Sequence, residues 1–265
     1  MPEVAAVAPS GAELERIACA AVRAGAAVVA DGYGRARAVA RKSSPTDVVT
    51  QTDLDAEQVV RDLLLAATPD AGLLGEEGGG RAPDARVQWV VDPLDGTVNF
   101  LYGIPLFSVS VAAAVEGTVV AGAVIDVLRD ELFSARLDGG ARCDDAEIAV
   151  SRCERLAEAL TVTGFSYQAD LRAAQGEVAQ RLLPLARDVR CFGSAALQLC
   201  WVACGRVDAY FERDIKIWDY SAGALIAAEA GATTELPCPE NDDLVIAATP
   251  RVFDDLRAAV ELGAA

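Results

Sequence analysis

Histidine is absent from this chain, which removes Ser-His-Asp triads, Cys-His pairs, His-ligated zinc and phosphohistidine intermediates from the chemistry one copy can perform. Hydrolysis would have to run on carboxylates, hydroxyls, lysine or an oxygen-ligated metal. Basic residues are scarce beside acidic ones, 23 Lys and Arg against 40 Asp and Glu, for a formal net charge of -17. Such a field repels nucleic acid and anionic membrane, so no direct nucleic-acid contact is expected, and an anionic substrate would need cations to bind. Much of the acidity also reads simply as solubility. No apolar run reaches the roughly 18 residues of a membrane span, and the opening MPEVAAVAPSGAELER has no basic region ahead of an apolar stretch. The cysteines (Cys19, Cys143, Cys153, Cys191, Cys200, Cys204 and Cys238) are odd in number and lack CxxC spacing. Cys200 and Cys204, four apart on a helical pattern, read as packed neighbours rather than metal ligands. Free thiols fit a reducing compartment, so a soluble cytoplasmic protein with no membrane partner is expected.

At 265 residues and 52% hydrophobic composition, the chain can bury a substantial core as one large domain or two intimately packed halves. Apolar residues at helical spacing predict an opening helix over residues 11–31, and a second helix after Thr52, with Thr52 and Asp53 as N-cap candidates. Leu73 and Leu74 lead into GEEGGG, a short strand ending in a glycine-rich turn with a mobile tip. Val87 to Val91 reads as a strand delivering Asp92; Ser108 to Val115 and Val119 to Val127 read as a hairpin, and Leu132 to Ala135 as a further strand. The second half alternates strands and helices: Leu160 to Gly164, Ala173 to Ala186, Asp188 to Cys191, Ser194 to Ala203, Val207 to Phe211, and Tyr220 to Ala230 before Gly231. That rhythm predicts a smaller α/β half over about 146–265 behind an α+β half over about 1–145, with no linker between them.

The segment WVVDPLDGTVNF (residues 89–100) sets Asp92 and Asp95 around a proline at the end of an apolar run. If the chain turns sharply there, both carboxylates face one hard cation, and Gly96 lets the backbone approach a bound anion. Glu76 and Asp219 also lie where apolar strands meet turns or helices. Four carboxylates brought together would need bound cations, for which Mg²⁺ is the natural candidate. The plain alternative is that each caps a turn or helix, a reading that suits Asp219 ahead of its apolar helix. An EF-hand is disfavoured, because D-P-L-D-G lacks the later acidic positions.

Five segments together resemble the inositol monophosphatase family of magnesium-dependent, lithium-sensitive sugar phosphatases. They are KSSPTDVVTQTD (42–53), GEE (75–77), WVVDPLDGTVNF (89–100), GSAAL (193–197) and WDYSAG (218–223), in the family's order and spacing. The resemblance implies a single phosphatase domain folded as a layered αβαβα sandwich. Its antiparallel sheet would lie in the N-terminal half, and the smaller α/β half would complete the substrate site.

The same resemblance implies a first Mg²⁺ on Glu76, Asp92 and the Leu94 carbonyl, a second on Asp92, Asp95 and Asp219, and a weaker third near Glu76. It implies a metal-bound water as nucleophile, with Thr97 and Asp53 orienting it and taking its proton. Asp53 reads equally as an ordinary helix cap. Gly96 and Thr97 amides would receive phosphate oxygens if they open a helix. Asp95, Ser194, Ala195, Glu212 and Asp219 would face the leaving group, although Glu212 alone reads also as a solvated strand-end charge. Lys42 would sit on a loop over the metals, or is simply a surface lysine.

The chain departs from the family pattern around Cys143, Asp144 and Asp145, where the usual Asn-Gly turn is replaced, and over Thr234 through Asp243, where a glycine-rich hairpin is shortened. The expected activity is hydrolysis of myo-inositol 1-phosphate or a similar polyol phosphate by a homodimer. Fructose 1,6-bisphosphate, histidinol phosphate and 3'-phosphoadenosine 5'-phosphate are alternatives on the same fold. A reading of another class is a regulatory partner of the transcription machinery.

Overall fold

The structure is a computed structural model and describes residues 9–35, 38–41, 48–238 and 243–261. Ser10 caps α1 (Gly11–Gly32) by accepting the Glu13 amide, and the buried stripe Leu14, Ile17, Ala21, Val22 and Val29 faces inward. A short antiparallel pair follows, β1 (Ala38–Arg41) with β2 (Val48–Thr50). The next helix, α2 (Gln51–Ala67), begins two residues earlier than a Thr52 cap would place it. Thr50 is its N-cap, and Asp53 occupies the third helical position of a capping box, accepting the Thr50 amide at 2.9 Å.

The predicted short strand is β3 (Gly72–Gly75), and beyond its glycine-rich turn β4 (Gly79–Arg81), which the sequence does not suggest, pairs back on it as a hairpin. β5 (Val87–Asp95) then runs parallel to β3 and passes through Gly96 into α3 (Thr97–Tyr102). The predicted meander follows as β6 (Ser108–Val115), β7 (Thr118–Asp126) and β8 (Glu131–Arg136). It extends through β9 (Ala141–Cys143) and β10 (Ala146–Glu147), two strands too short to give a periodic signal. Asp144 takes a positive φ of 51° in the turn between them, the conformation an Asn-Gly turn would also supply.

The second half comprises β11 (Leu160–Thr163), α4 (Ala169–Leu182), β12 (Asp188–Cys191), α5 (Ala195–Ala203), β13 (Ala209–Glu212) and α6 (Ile217–Glu229). It ends with β14 (Thr233–Glu235), β15 (Val245–Ala248) and α7 (Phe253–Val260). The start of α6, three residues before the predicted one, places Asp219 inside its first turn rather than ahead of it.

Eight strands form one sheet in the order β10-β9-β8-β7-β6-β5-β3-β4, antiparallel except at β3–β5; five form another, β12-β11-β13-β15-β14, of mixed direction. Side chains alternate across each sheet with period two. Trp89, Val91, Val109 and Val111 pack under α1 and α2, while Val90, Ala112, Val124 and Phe133 face α5 and α6. The same helices cover Val162, Tyr210, Val245 and Ala247 of the second sheet, whose far face packs Phe211, Ile246 and Ala248 on α4 and α7. The result is the expected αβαβα stack, with its central helical layer drawn from the second half. All seven cysteines are free thiols, and Cys200 is buried in that central layer. No described helix is long and apolar enough to cross a membrane.

Candidate active site

In a regular strand, residues three apart point to opposite faces. Asp92 pairs with Ser110 and Asp95 with Ser108, so three steps on β5 oppose two on β6. This bulge contains Pro93, which has no amide to give a ladder. It brings both aspartates to the wall of one cavity of about 430 Å³, a size suited to a small ligand. Glu76 reaches the cavity from the end of β3, and Asp219 and Glu212 from α6 and β13.

Asp92 is sealed in the sheet, with Oδ1 accepting the Leu94 amide at 3.0 Å, and it hydrogen-bonds Glu76. Asp95 Oδ2 accepts from Ser194 Oγ at 2.5 Å, the Ala196 amide at 2.9 Å and Ser108 Oγ at 3.2 Å, and Oδ1 accepts the Ala195 amide at 3.2 Å. Asp95 therefore ties β5 to the N-terminus of α5, where a negative charge is favoured. Asp219 accepts the Lys216 amide at 2.5 Å, the carboxylate half of a capping box whose other half lysine, having no acceptor, cannot supply. The cap role weighed for Asp219 is thus present, but it uses one oxygen and leaves the other.

Burial drives the electrostatics. It raises the Asp92 carboxyl well above the usual range, with the charges of Glu76, Asp95 and Asp219 adding to the shift. Asp219 rises well above its ordinary value by burial and then by Glu76. Asp95 is pushed to about 6 by burial, against its four hydrogen bonds. Glu212 is pushed to about 8 by burial, against the Tyr210 hydroxyl that donates to it at 3.0 Å. A cavity that disfavours its own negative charges is one that a cation would relieve.

The donors are all oxygens, with no imidazole available, which fits a hard divalent cation such as Mg²⁺. Leu94 O accepts the Thr97 hydroxyl at 3.0 Å and keeps a second lone pair. Among the described residues no three acidic or thiol side chains are drawn into a closed ligand cage; the acids line a wall that a cation would gather.

Thr97 Oγ1 also lies 3.1 Å from Asp53 Oδ1, across 44 residues of sequence. Asp53 is fully buried, its carboxyl raised by that burial, and Oδ2 accepts from both the amide and the hydroxyl of Thr50. Helix cap and partner of Thr97 are both real contacts of one side chain. Gly96 turns the chain with φ of +98°, and a Cβ there would crowd Gly193 O at 3.1 Å.

Ser194 caps α5 by accepting the Leu197 amide at 3.4 Å. Its hydroxyl and the Ala195 amide are spent on Asp95, so both line the cavity chiefly through that carboxylate. Lys42 lies outside the described residues. Lys216 is exposed at the rim and pairs with Asp214 at 3.2 Å. Sequence reasoning did not single out Asn99, although it lies in WVVDPLDGTVNF. It donates to Leu106 O at 2.9 Å and Phe192 O at 2.6 Å, bracing the Gly193 loop. The rim at Phe165 and Tyr167 was also missed, since two aromatics after a strand carry no motif.

A two-sheet sandwich with an acid-lined cavity at the ends of its strands is a setting that suits metal-assisted hydrolysis. The inositol monophosphatase family model matches residues 11–261, and the chain belongs to that family. Its members are generally metal-dependent, and this chain is a phosphatase. It is 49% identical over 243 residues to inositol-1-monophosphatase of Mycobacterium bovis, covering 87% of this chain and 83% of the relative. It is 39% identical over 250 residues to Nus factor SuhB of Pasteurella multocida, covering 91% and 92%. The crystal structure of extragenic suppressor protein suhB from Bartonella henselae superposes with a TM-score of 0.87 at 31% identity, over 94% of this chain and 98% of that one.

Proposed function

We propose that this phosphatase hydrolyses myo-inositol 1-phosphate, or a closely similar polyol phosphate, with two to three Mg²⁺ bound. The observation that carries the reading is the meeting of Glu76, Asp92, Asp95 and Asp219 on one cavity wall beside the Thr97–Asp53 contact. Glu76, Asp92 and the Leu94 carbonyl would hold one ion, and Asp92, Asp95 and Asp219 a second. When bound, Mg²⁺ supplies positive charge against the phosphate and acidifies the attacking water.

The chain's own residues do the rest. Thr97 accepts a hydrogen bond from the water and donates to Asp53, whose buried carboxylate takes the proton. The Gly96 and Thr97 amides meet phosphate oxygens. Glu212, held by Tyr210, accepts from hydroxyls of the leaving group with Ser194 and Ala195 beside it. Gly164 admits Glu212 to that position, since a Cβ there would overlap the carboxylate. Tyr102 at the end of α3 and Ile104 just past it, 81% and 48% exposed, offer an apolar surface for a second copy.

A phosphate-release panel with myo-inositol 1-phosphate, fructose 1,6-bisphosphate, histidinol phosphate and 3'-phosphoadenosine 5'-phosphate tests the substrate, in Mg²⁺ with and without Li⁺. The inositol ester should give the highest kcat/KM and Li⁺ should inhibit. Asp92→Asn should be folded and inactive; turnover by that variant would sink the mechanism. The likeness to relatives named Nus factor SuhB favours a second reading, a regulatory partner of the transcription machinery. RNA polymerase retained equally by wild type and Asp92→Asn would mark that role as separate from catalysis.

A further inference from the structure

Asp53 and Glu57 stand four residues apart on α2 and so share a face. Asp53 reaches Thr97, whereas Glu57 reaches the turn that carries Glu76. The Glu57 side chain is 5% exposed, and its Oε2 accepts the Glu77 amide at 2.8 Å. On the opposite side the Glu76 amide donates to Val91 O at 3.2 Å, continuing the β3–β5 pairing one step past the strand. The backbone of Glu76 is thereby fixed from the sheet through its own amide and from α2 through the next.

The neighbouring glycines record the same contact. A Cβ at Gly75 would come within 2.7 Å of Glu57 Oε2, and one at Gly78 would overlap Oε1 and lie 3.0 Å from Arg61 Nη1. Neither glycine has a left-handed φ. Both glycines thus leave room for the carboxylate, which a side chain at either position would displace, and neither is required by turn geometry. Arg61, at 3.9 Å from Glu57 Oε1, is the partner charge for a carboxylate that would be costly to bury alone.

We infer that Glu57 is a positioning residue that braces the turn bearing Glu76 and thereby sets the affinity of the cavity for its divalent cation. The inference rests on the reading of Glu76 as a metal ligand. Partners that orient a ligand without touching the metal typically change affinity by about 10- to 100-fold when removed. α2 would then hold both arms of the site, the Thr97 contact in its first turn and the Glu76 turn in its second.

Calorimetric titration of metal-stripped protein with Mg²⁺ tests this, beside thermal melting and the Mg²⁺ dependence of phosphate release. Glu57→Ala should weaken Mg²⁺ binding by about 10- to 100-fold and move activation to higher Mg²⁺, with kcat at saturating metal close to wild type. Glu57→Gln should recover most of the affinity, because its amide oxygen still accepts from Glu77 and only the long Arg61 contact is lost. Gly78→Ala should weaken binding by displacing the Glu57 carboxylate while leaving both glutamates in the sequence, and should add little in the Glu57→Ala background, where space for the methyl exists. A lowered Tm with an unchanged Mg²⁺ isotherm in Glu57→Ala and Gly78→Ala would overturn the inference, leaving Glu57 a purely structural residue. Wild-type protein that takes up no Mg²⁺ would overturn instead the metal reading beneath it.

Discussion

A threonine hydroxyl has one proton, and Thr97 has two acceptors for it, Asp53 Oδ1 at 3.1 Å and Leu94 O at 3.0 Å. Either choice leaves the oxygen's lone pairs able to accept from a water, and the choice sets which way they point. Donation to Asp53 links that water to a buried carboxylate whose own proton affinity is raised by burial, the direction a general base requires. Thr97→Val keeps the shape and removes the hydroxyl. It should lower kcat by about 10²- to 10⁴-fold with Mg²⁺ binding near wild type, at a cost of about 1–3 kcal/mol for the buried Asp53 oxygen that loses its donor, as steady-state kinetics, calorimetry and thermal melting would show. Retention of full kcat would place the water-orienting group elsewhere. Asp53 is less clean as a target, because its Oδ2 is also the acceptor of the α2 capping box. Asparagine there would set an amide N–H against one of these donors, so loss of activity and loss of stability would arrive together.

At the scale of elements, the N-terminus of α5 is where the two halves are locked. Ser194 donates to Asp95 at 2.5 Å and accepts from Leu197, so one hydroxyl serves as helix cap and as tether to β5. Ser194→Ala should cost about 1 kcal/mol from the cap, near 2–4 °C in Tm. It should also weaken Mg²⁺ binding, because Asp95 loses its shortest restraint. Calorimetry in which affinity stays unchanged while Tm falls would separate the cap from the tether. Periodicity made α1, β6, β7 and α5 legible from sequence, since each buries a regular face. It failed at β4, β9 and β10, where two or three residues pair only because a neighbouring strand is already present. It also misplaced the start of α2: Thr50 and Thr52 are both good caps on composition, and only the hydrogen bond to Asp53 chooses between them. Asp92 and Asp95 were legible because a proline and a glycine constrained them together, whereas Asp219 read equally as a helix cap and Glu212 was reached only through the family resemblance. Glu57 was not legible, because an acidic residue on an amphipathic helix reads as solvated until the turn it touches is in place.

Across the whole molecule, the cavity acids tie stability to pH and metal in a definite direction. In metal-free protein the Asp95 carboxyl is raised to about 6 and Glu212 to about 8, with Asp92 and Asp219 raised as well. A carboxyl whose folded pKa lies above its unfolded value binds more protons in the folded state. Its contribution to stability is full below the unfolded pKa, near 4, and is lost as pH climbs through the folded value. For Asp95 and Glu212 that window runs from about pH 4 to about 8. Metal-stripped protein should therefore lose stability from these groups on going from pH 5.5 to 8.5. A divalent cation reverses the trend, since it binds the deprotonated carboxylates and competes with protons for them. Mg²⁺ at 100 times its dissociation constant should add about 2.7 kcal/mol, or roughly 5–10 °C in Tm. At a fixed Mg²⁺ concentration the gain should be larger at pH 8 than at pH 6. Differential scanning fluorimetry of stripped protein across that range, with Mg²⁺ or with chelator, reads both effects. A Mg²⁺ shift of equal size at the two pH values would mean that the ion binds outside this carboxylate cavity, because binding to carboxylates that titrate in this range must compete with protons.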